Sequence, residues 1–133
     1  MSLEENKAIA RALVELYNRG DAEGSVEYDA PDVTLNGQPF GRQGDLERSL
    51  MMIAAFPDGE YSIDDLFGEG DRVTLRWTFR GTHQGELKGI PPTGKPVEFA
   101  GISVYRFADG KLVEVWEGFD RLALLQQLGV VPT

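Results

Sequence analysis

A chain of 133 residues with 41% hydrophobic and 26% charged residues has the size and balance of a single folded domain, residues 1–133. It has no cysteine and one histidine, His83, which excludes disulfides, thiolate chemistry, cysteine metal sites and paired-histidine zinc motifs. A net charge of −9 with no cluster of Lys and Arg argues against nucleic-acid and anionic-membrane partners, since both need clustered positive charge.

The first ten residues, MSLEENKAIA, are acidic and polar and do not resemble a signal peptide, so a cytoplasmic protein is expected. Ser2-Leu3-Glu4-Glu5 has the form of a capping box. Ile9, Ala12, Leu13, Leu16 and Tyr17 follow on one helical face, and Gly20 lies past the end. Asp21 is placed to cap a short second helix through Val26. Residues 30–44 are rich in proline and glycine and predict a loop with a short strand at Val33–Leu35. A third helix is predicted from Asp45 to Phe56, with Leu46, Leu50 and Ile53 on its apolar face and Pro57 ending it.

The period then changes. Tyr61–Phe67 predicts a strand, Gly68–Asp71 a turn, and the alternation of Val73, Leu75, Trp77 and Phe79 a long strand reaching Thr82. Val97–Phe107 and Leu112–Phe119 are further strands around the hairpin signal Asp109-Gly110. Arg121–Leu128 closes the chain as a short helix, with Gly129 beyond it. Helices first and strands after predict an α+β domain. Long successive strands twist, so a strongly curved antiparallel sheet wrapped around three N-terminal helices is expected, a cone-shaped barrel with room for an apolar pocket.

Gly89-Ile90-Pro91-Pro92-Thr93-Gly94-Lys95 comes close to a phosphate-binding loop but fails on chemistry. Pro91 and Pro92 have no N–H to offer a phosphate, Pro96 stands where a hydroxyl is needed, and a strand follows instead of a helix. A stiff connection is the expected reading.

The series GTHQGE, GIPPTGK, GISVYR and DGKLVE, followed by a tryptophan, an aspartate and LLQQLG, closely resembles the SnoaL-like polyketide cyclases, also called ester cyclases. These belong to the wider nuclear-transport-factor-two-like superfamily of cone-shaped α+β proteins. The resemblance is dense over residues 71–129 and looser over 4–60, where the helix order and YNRGD carry it. It implies a small cofactor-free enzyme, usually dimeric, of a kind that closes a ring by intramolecular aldol condensation. It also implies a catalytic aspartate where the last strand meets the last helix, the position of Asp120, with histidine among the polar groups nearby.

From the residues alone, Asp120 is read first as a helix cap; among Trp116, Phe119 and Leu124 it is also a desolvated carboxylate fit to act as general base, the reading that the resemblance favours. His83 is either a structural hydrogen-bonder or a donor to a substrate carbonyl. Arg106 and Glu114 form an edge ion pair or contact substrate, depending on the hairpin. A two-residue turn pairs Phe107 with Leu112, whereas a bulged three-residue loop pairs Phe107 with Lys111 and sets Arg106 on the face of Leu112, Glu114 and Trp116, the preferred register. Tyr17 and Trp116 are the aromatic residues expected to line an open pocket. The function expected is acid–base chemistry on a carbonyl-containing, aromatic or polyketide-like small molecule. The alternative is a carrier that uses the same pocket without chemistry. A homodimer through the outer sheet face is expected, because strand 97–107 is apolar on both sides.

Overall fold

The computed structural model describes all 133 residues. Four helices, α1 (Leu3–Asn18), α2 (Ala22–Val26), α3 (Gly41–Ala55) and α4 (Arg121–Leu128), accompany six strands. These are β1 (Asp29–Leu35), β2 (Gln38–Pro39), β3 (Glu60–Glu69), β4 (Arg72–Thr82), β5 (Pro96–Ala108) and β6 (Lys111–Phe119). They form one sheet in the order β2-β1-β6-β5-β4-β3. The sheet is antiparallel except where β1 runs parallel to β6. It curls into an open cone that the helices cover, the α+β architecture expected from the sequence.

The local signals act as their chemistry requires. Ser2 and Glu5 form the reciprocal capping box of α1, and Asp21 accepts the Gly24 N–H at 2.8 Å to cap α2. Val73, Leu75, Trp77 and Phe79 all face the core from β4. Gly101 on β5 lies opposite Trp77, and a Cβ there would meet the indole at 2.3 Å. The glycine thus lets the Trp77 ring lie flat and reach Ser103 Oγ with its Nε1, at 3.0 Å. Gly101→Ala is expected to cost about 1–3 kcal/mol through overpacking, a fall in Tm on the order of 5–10 °C that calorimetry would register.

Three predicted features differ. The predicted strand Val33–Leu35 extends back to Asp29 as β1, into and before the stretch expected to be loop, and is followed by a tight turn at Asn36 (φ 52°) and Gly37 (φ 79°). Helix α3 starts at Gly41, four residues before Asp45, with no side-chain cap. Tertiary contacts hold that first turn: Arg42 donates to the Asp29 carbonyl from Nη2 at 2.6 Å and from Nε at 3.2 Å. The hairpin keeps the two-residue turn, with Phe107 opposite Leu112, and a bulge at Val113 then brings Arg106 opposite Glu114. The ion pair expected of the longer loop is therefore made by the shorter one.

Candidate active site

The cone encloses a cavity of about 400 Å³. Most of its wall is apolar: Leu13 and Tyr17 from α1, Met51 and Met52 from α3, Trp77, Phe99 and Tyr105 from the sheet, Leu124 and Leu125 from α4. Leu87, Lys88 and Ile90 of the loop between β4 and β5 also line it. One region is polar. Asp45, Arg48 and Ser49 of α3, Asp29 of β1, Ser103 of β5 and Glu117 of β6 converge there.

The bulge at Val113 sets this geometry. It reverses the alternation of β6, so that after Leu112 the inward residues are Val115, Glu117 and Phe119. Glu117 accepts from Arg48 Nη1 at 2.9 Å on Oε2 and from Ser103 Oγ at 3.1 Å on Oε1. Its backbone is clamped as well: Asn36 accepts the Glu117 N–H at 2.7 Å and donates to the Glu117 carbonyl at 3.2 Å. The carboxylate is thus held by side chain and main chain together, and each oxygen keeps a lone pair free for a ligand.

Arg48 also pairs with Asp45 at 3.2 Å and stacks over the Phe40 ring at 5.6 Å. Burial opposes its charge, but Glu117 and Asp45 more than offset that, so its pKa is raised and it is a permanent cation. Asp29 is almost fully buried, with its carboxyl against that of Asp45. Burial, reinforced by the neighbouring Asp45 carboxylate, pushes its pKa up to about 9, so Asp29 is a neutral acid at pH 7. Burial likewise raises the phenols of Tyr17, to about 12, and of Tyr61 and Tyr105. All three are O–H donors at neutral pH.

The sequence-derived site residues divide. Tyr17 lines the cavity as expected. Asp120 is exposed and does not line it; its Oδ1 accepts the Ala123 N–H at 3.0 Å, the bond of a helix cap. Asp120→Ala should therefore cost about 1 kcal/mol of stability in a denaturant titration and leave ligand affinity unchanged. His83 is fully buried but outside the cavity wall. Its Nδ1 accepts the Thr93 N–H at 3.2 Å, and its carbonyl accepts from Gly94 at 2.8 Å, which ties the two ends of the loop together. Arg106, Glu114 and Trp116 lie outside the cavity on the outer sheet face, where Arg106 Nε donates to Glu114 Oε2 and Trp116 Nε1 donates to Glu114 Oε1 at 3.2 Å. The bulge corrects the assignment of Glu114 and Trp116, which without it would point inward, while Arg106 is turned outward by the alternation of β5 itself, opposite in sense to Tyr105 and Phe107.

Sequence reasoning missed Glu117, Arg48, Asp45, Ser103 and Asp29. A signal existed for two of these groups. Asp45, Arg48, Ser49 and Met52 are spaced as one helical face, and Ser103 is the polar break in an otherwise apolar inward row of β5.

Residues 7–128 match the sequence profile of the SnoaL-like polyketide cyclases. The chain belongs to this family. Solved structures agree. AclR of Streptomyces galilaeus, described as a proposed hydroxylase, is 34% identical with a TM-score of 0.90, covering 99% of this chain and 89% of its own. IdmH of Streptomyces antibioticus, a proposed polyketide cyclase, is 35% identical with a TM-score of 0.82, covering 94% and 99%. TsrD of Streptomyces laurentii is 25% identical with a TM-score of 0.90, covering 98% and 99%. No curated protein matches the chain. No helix of this SnoaL-like protein is long and apolar enough to cross a membrane.

Proposed function

We propose that this protein is a cofactor-independent acid–base enzyme whose cavity binds an aromatic or polyketide-like carbonyl compound, with Glu117 as the base. The observation that supports this reading is a glutamate with two hydrogen bonds on its carboxylate and two on its backbone, in the polar part of a cavity whose remaining wall is mostly apolar and aromatic. Such a wall suits a flat ligand. The base takes a C–H proton next to a carbonyl, and the freed electron pair forms an enolate. The enolate carbon attacks a second carbonyl of the same molecule, forming a C–C bond and an alkoxide, and the alkoxide regains the proton from Glu117. Nothing is added or lost, so product and substrate have the same mass.

Family membership, and the IdmH description as a proposed polyketide cyclase, support ring closure over other fates of the enolate. A thermal-shift screen of aromatic ketones and keto-esters would find ligands. Those that bind should convert to products of unchanged mass by liquid chromatography and mass spectrometry. Binding without conversion across the panel would favour the carrier reading, which draws on the Arg48–Glu117 ion pair as a purely structural contact.

The outer face of β5 and β6 carries Ile102 and Trp116, each about half exposed (50% and 47%). We propose that this face joins two copies in a homodimer, since a sheet apolar on both faces needs cover on both. Light scattering should give twice the monomer mass for the wild type and the monomer mass for Trp116→Glu. A monomeric wild type at micromolar concentrations would contradict the dimer.

A further inference from the structure

The residues that line the cavity and are also exposed to solvent mark its mouth. There are four: Asn36, Lys88, Phe119 and Arg121. Asn36 is committed to the main chain of Glu117. Phe119 packs at a tilt on Phe99, with ring centroids 5.5 Å apart, and leaves 43% of its surface exposed. Lys88 and Arg121 make no ion pair, although Glu86 and Asp120 lie close to them along the chain. The carboxylates of the cavity wall do not serve them either, since Asp45 and Glu117 are paired with Arg48. In a chain with 22 acidic residues against 13 basic ones, two unpaired cations at one opening suit an anion that comes from outside.

Lys88 is held there against its conformational preference. Leu87 and Ile90 exchange both main-chain hydrogen bonds, at 3.0 and 2.8 Å, around a two-residue turn with φ of 46° at Lys88 and 87° at Gly89. Positive φ at both central positions is the pattern that Asn-Gly serves, and lysine is disfavoured at the first of them. Leu87 and Ile90 both line the cavity, and the ends of the loop are tied together at His83. The turn is thus fixed, and its strained residue contributes something other than stability.

We propose that the cavity takes a ligand bearing a carboxylate, which rests at this mouth by Lys88 and Arg121 while its carbonyl lies inward at Glu117. The proposal rests on the acid–base reading only for the position of the carbonyl. Glu117 and Phe119 are successive inward residues of β6, so base and mouth are about 7 Å apart along the strand. A naphthalene-sized ring system with one group at each end bridges that span, which makes the ligand an aromatic keto acid. Each cation acts on the carboxylate through its own charge, and neither needs the other to bond the same oxygen.

The test needs no turnover. The probes are 6-acetyl-2-naphthoate and its methyl ester, which differ in charge at one end, and titration calorimetry reads their binding. The wild type should bind the acid about tenfold tighter than the ester at low salt, and added salt should shrink the preference. Lys88→Asn and Arg121→Gln should each cut it about threefold by weakening the acid alone, the size of one partly exposed charge pair. The double variant should bind acid and ester alike. Lys88→Asn should also raise the melting temperature by about 3 °C, because Asn accepts a φ of 46° more readily. Its loss of preference is then no loss of fold.

Two further variants isolate the site. Arg11→Gln removes an exposed arginine of α1 outside the cavity and should leave the preference intact, which separates the mouth from the overall charge. Glu117→Gln should keep it too, so a failed base would leave this result standing. A wild type that binds neither probe, or binds the ester as tightly as the acid, overturns the proposal. So does a preference that survives in the double variant or falls equally in Arg11→Gln.

Discussion

Replacing Glu117 by Gln is expected to lower kcat on the protein's carbonyl substrate by about 10²–10⁴, the usual loss when a general base is removed. Gln keeps the size of the side chain and one carbonyl oxygen. It can still accept from Ser103 or Arg48, and the main-chain bonds to Asn36 do not involve the side chain being changed. The fold should therefore survive. What is lost is the negative charge beside Arg48 and the ability to take a proton. A fall in kcat with KM little changed marks an interaction needed in the transition state alone. Equal losses in Asp120→Asn and Glu117→Gln would return the chemistry to the last helix. Asp120→Asn should instead turn over normally, because Asn and Asp cap helices about equally well.

The second large effect concerns stability. In the folded chain the Asp29 carboxyl has a pKa of about 9, against an ordinary value of 3.8. Between those values the native state holds a proton that the unfolded chain has released. The contribution to stability is fully present below the lower value, falls as pH rises through the window, and is lost above the upper one. The slope is at most about 1.4 kcal/mol per pH unit. Asp29→Asn has no proton to lose there. The variant should therefore gain on the wild type as pH rises from 5 to 8, by more than about 1 kcal/mol in urea titrations at the two values. Other titrating groups cancel in that difference, apart from the neighbours Asp45, Arg42 and Arg48. Parallel stability curves would mean that Asp29 is ionised in the native state.

The sequence disclosed what depends on near neighbours along the chain. Capping residues, the alternation of β4 and the Asp109-Gly110 turn each act over a few residues, and each was legible. The site was not, for two physical reasons. Helix α3 was oriented by its apolar residues, Leu46, Leu50 and Ile53, on the assumption that the inward face is the oily one. Here Leu50 is 49% exposed, while Asp45, Arg48 and Ser49 face the cavity. A functional cavity inverts the rule, since its polar groups stabilise a ligand and not the fold. The second reason is a single residue. The bulge at Val113 exchanges the two faces of β6, sending Glu114 and Trp116 outward and Glu117 inward. Alternation counted from Leu112 has no means of detecting it. Asp29 is hidden differently, immediately before Ala30-Pro31-Asp32, whose composition suggests a loop although all four residues belong to a strand beside β6.

The central claim is that Glu117 removes a proton next to a carbonyl in this cavity. Proton NMR in D₂O tests it on 1-acetonaphthone and on the other aromatic ketones that raise the melting temperature. Their methyl or methylene protons exchange slowly on their own, and exchange requires the enolate but no ring closure. Loss of the α-proton signal should be faster with the wild type than with Glu117→Gln by about 10²-fold or more. Ketones that bind both proteins and exchange at the same rate with each would contradict the claim.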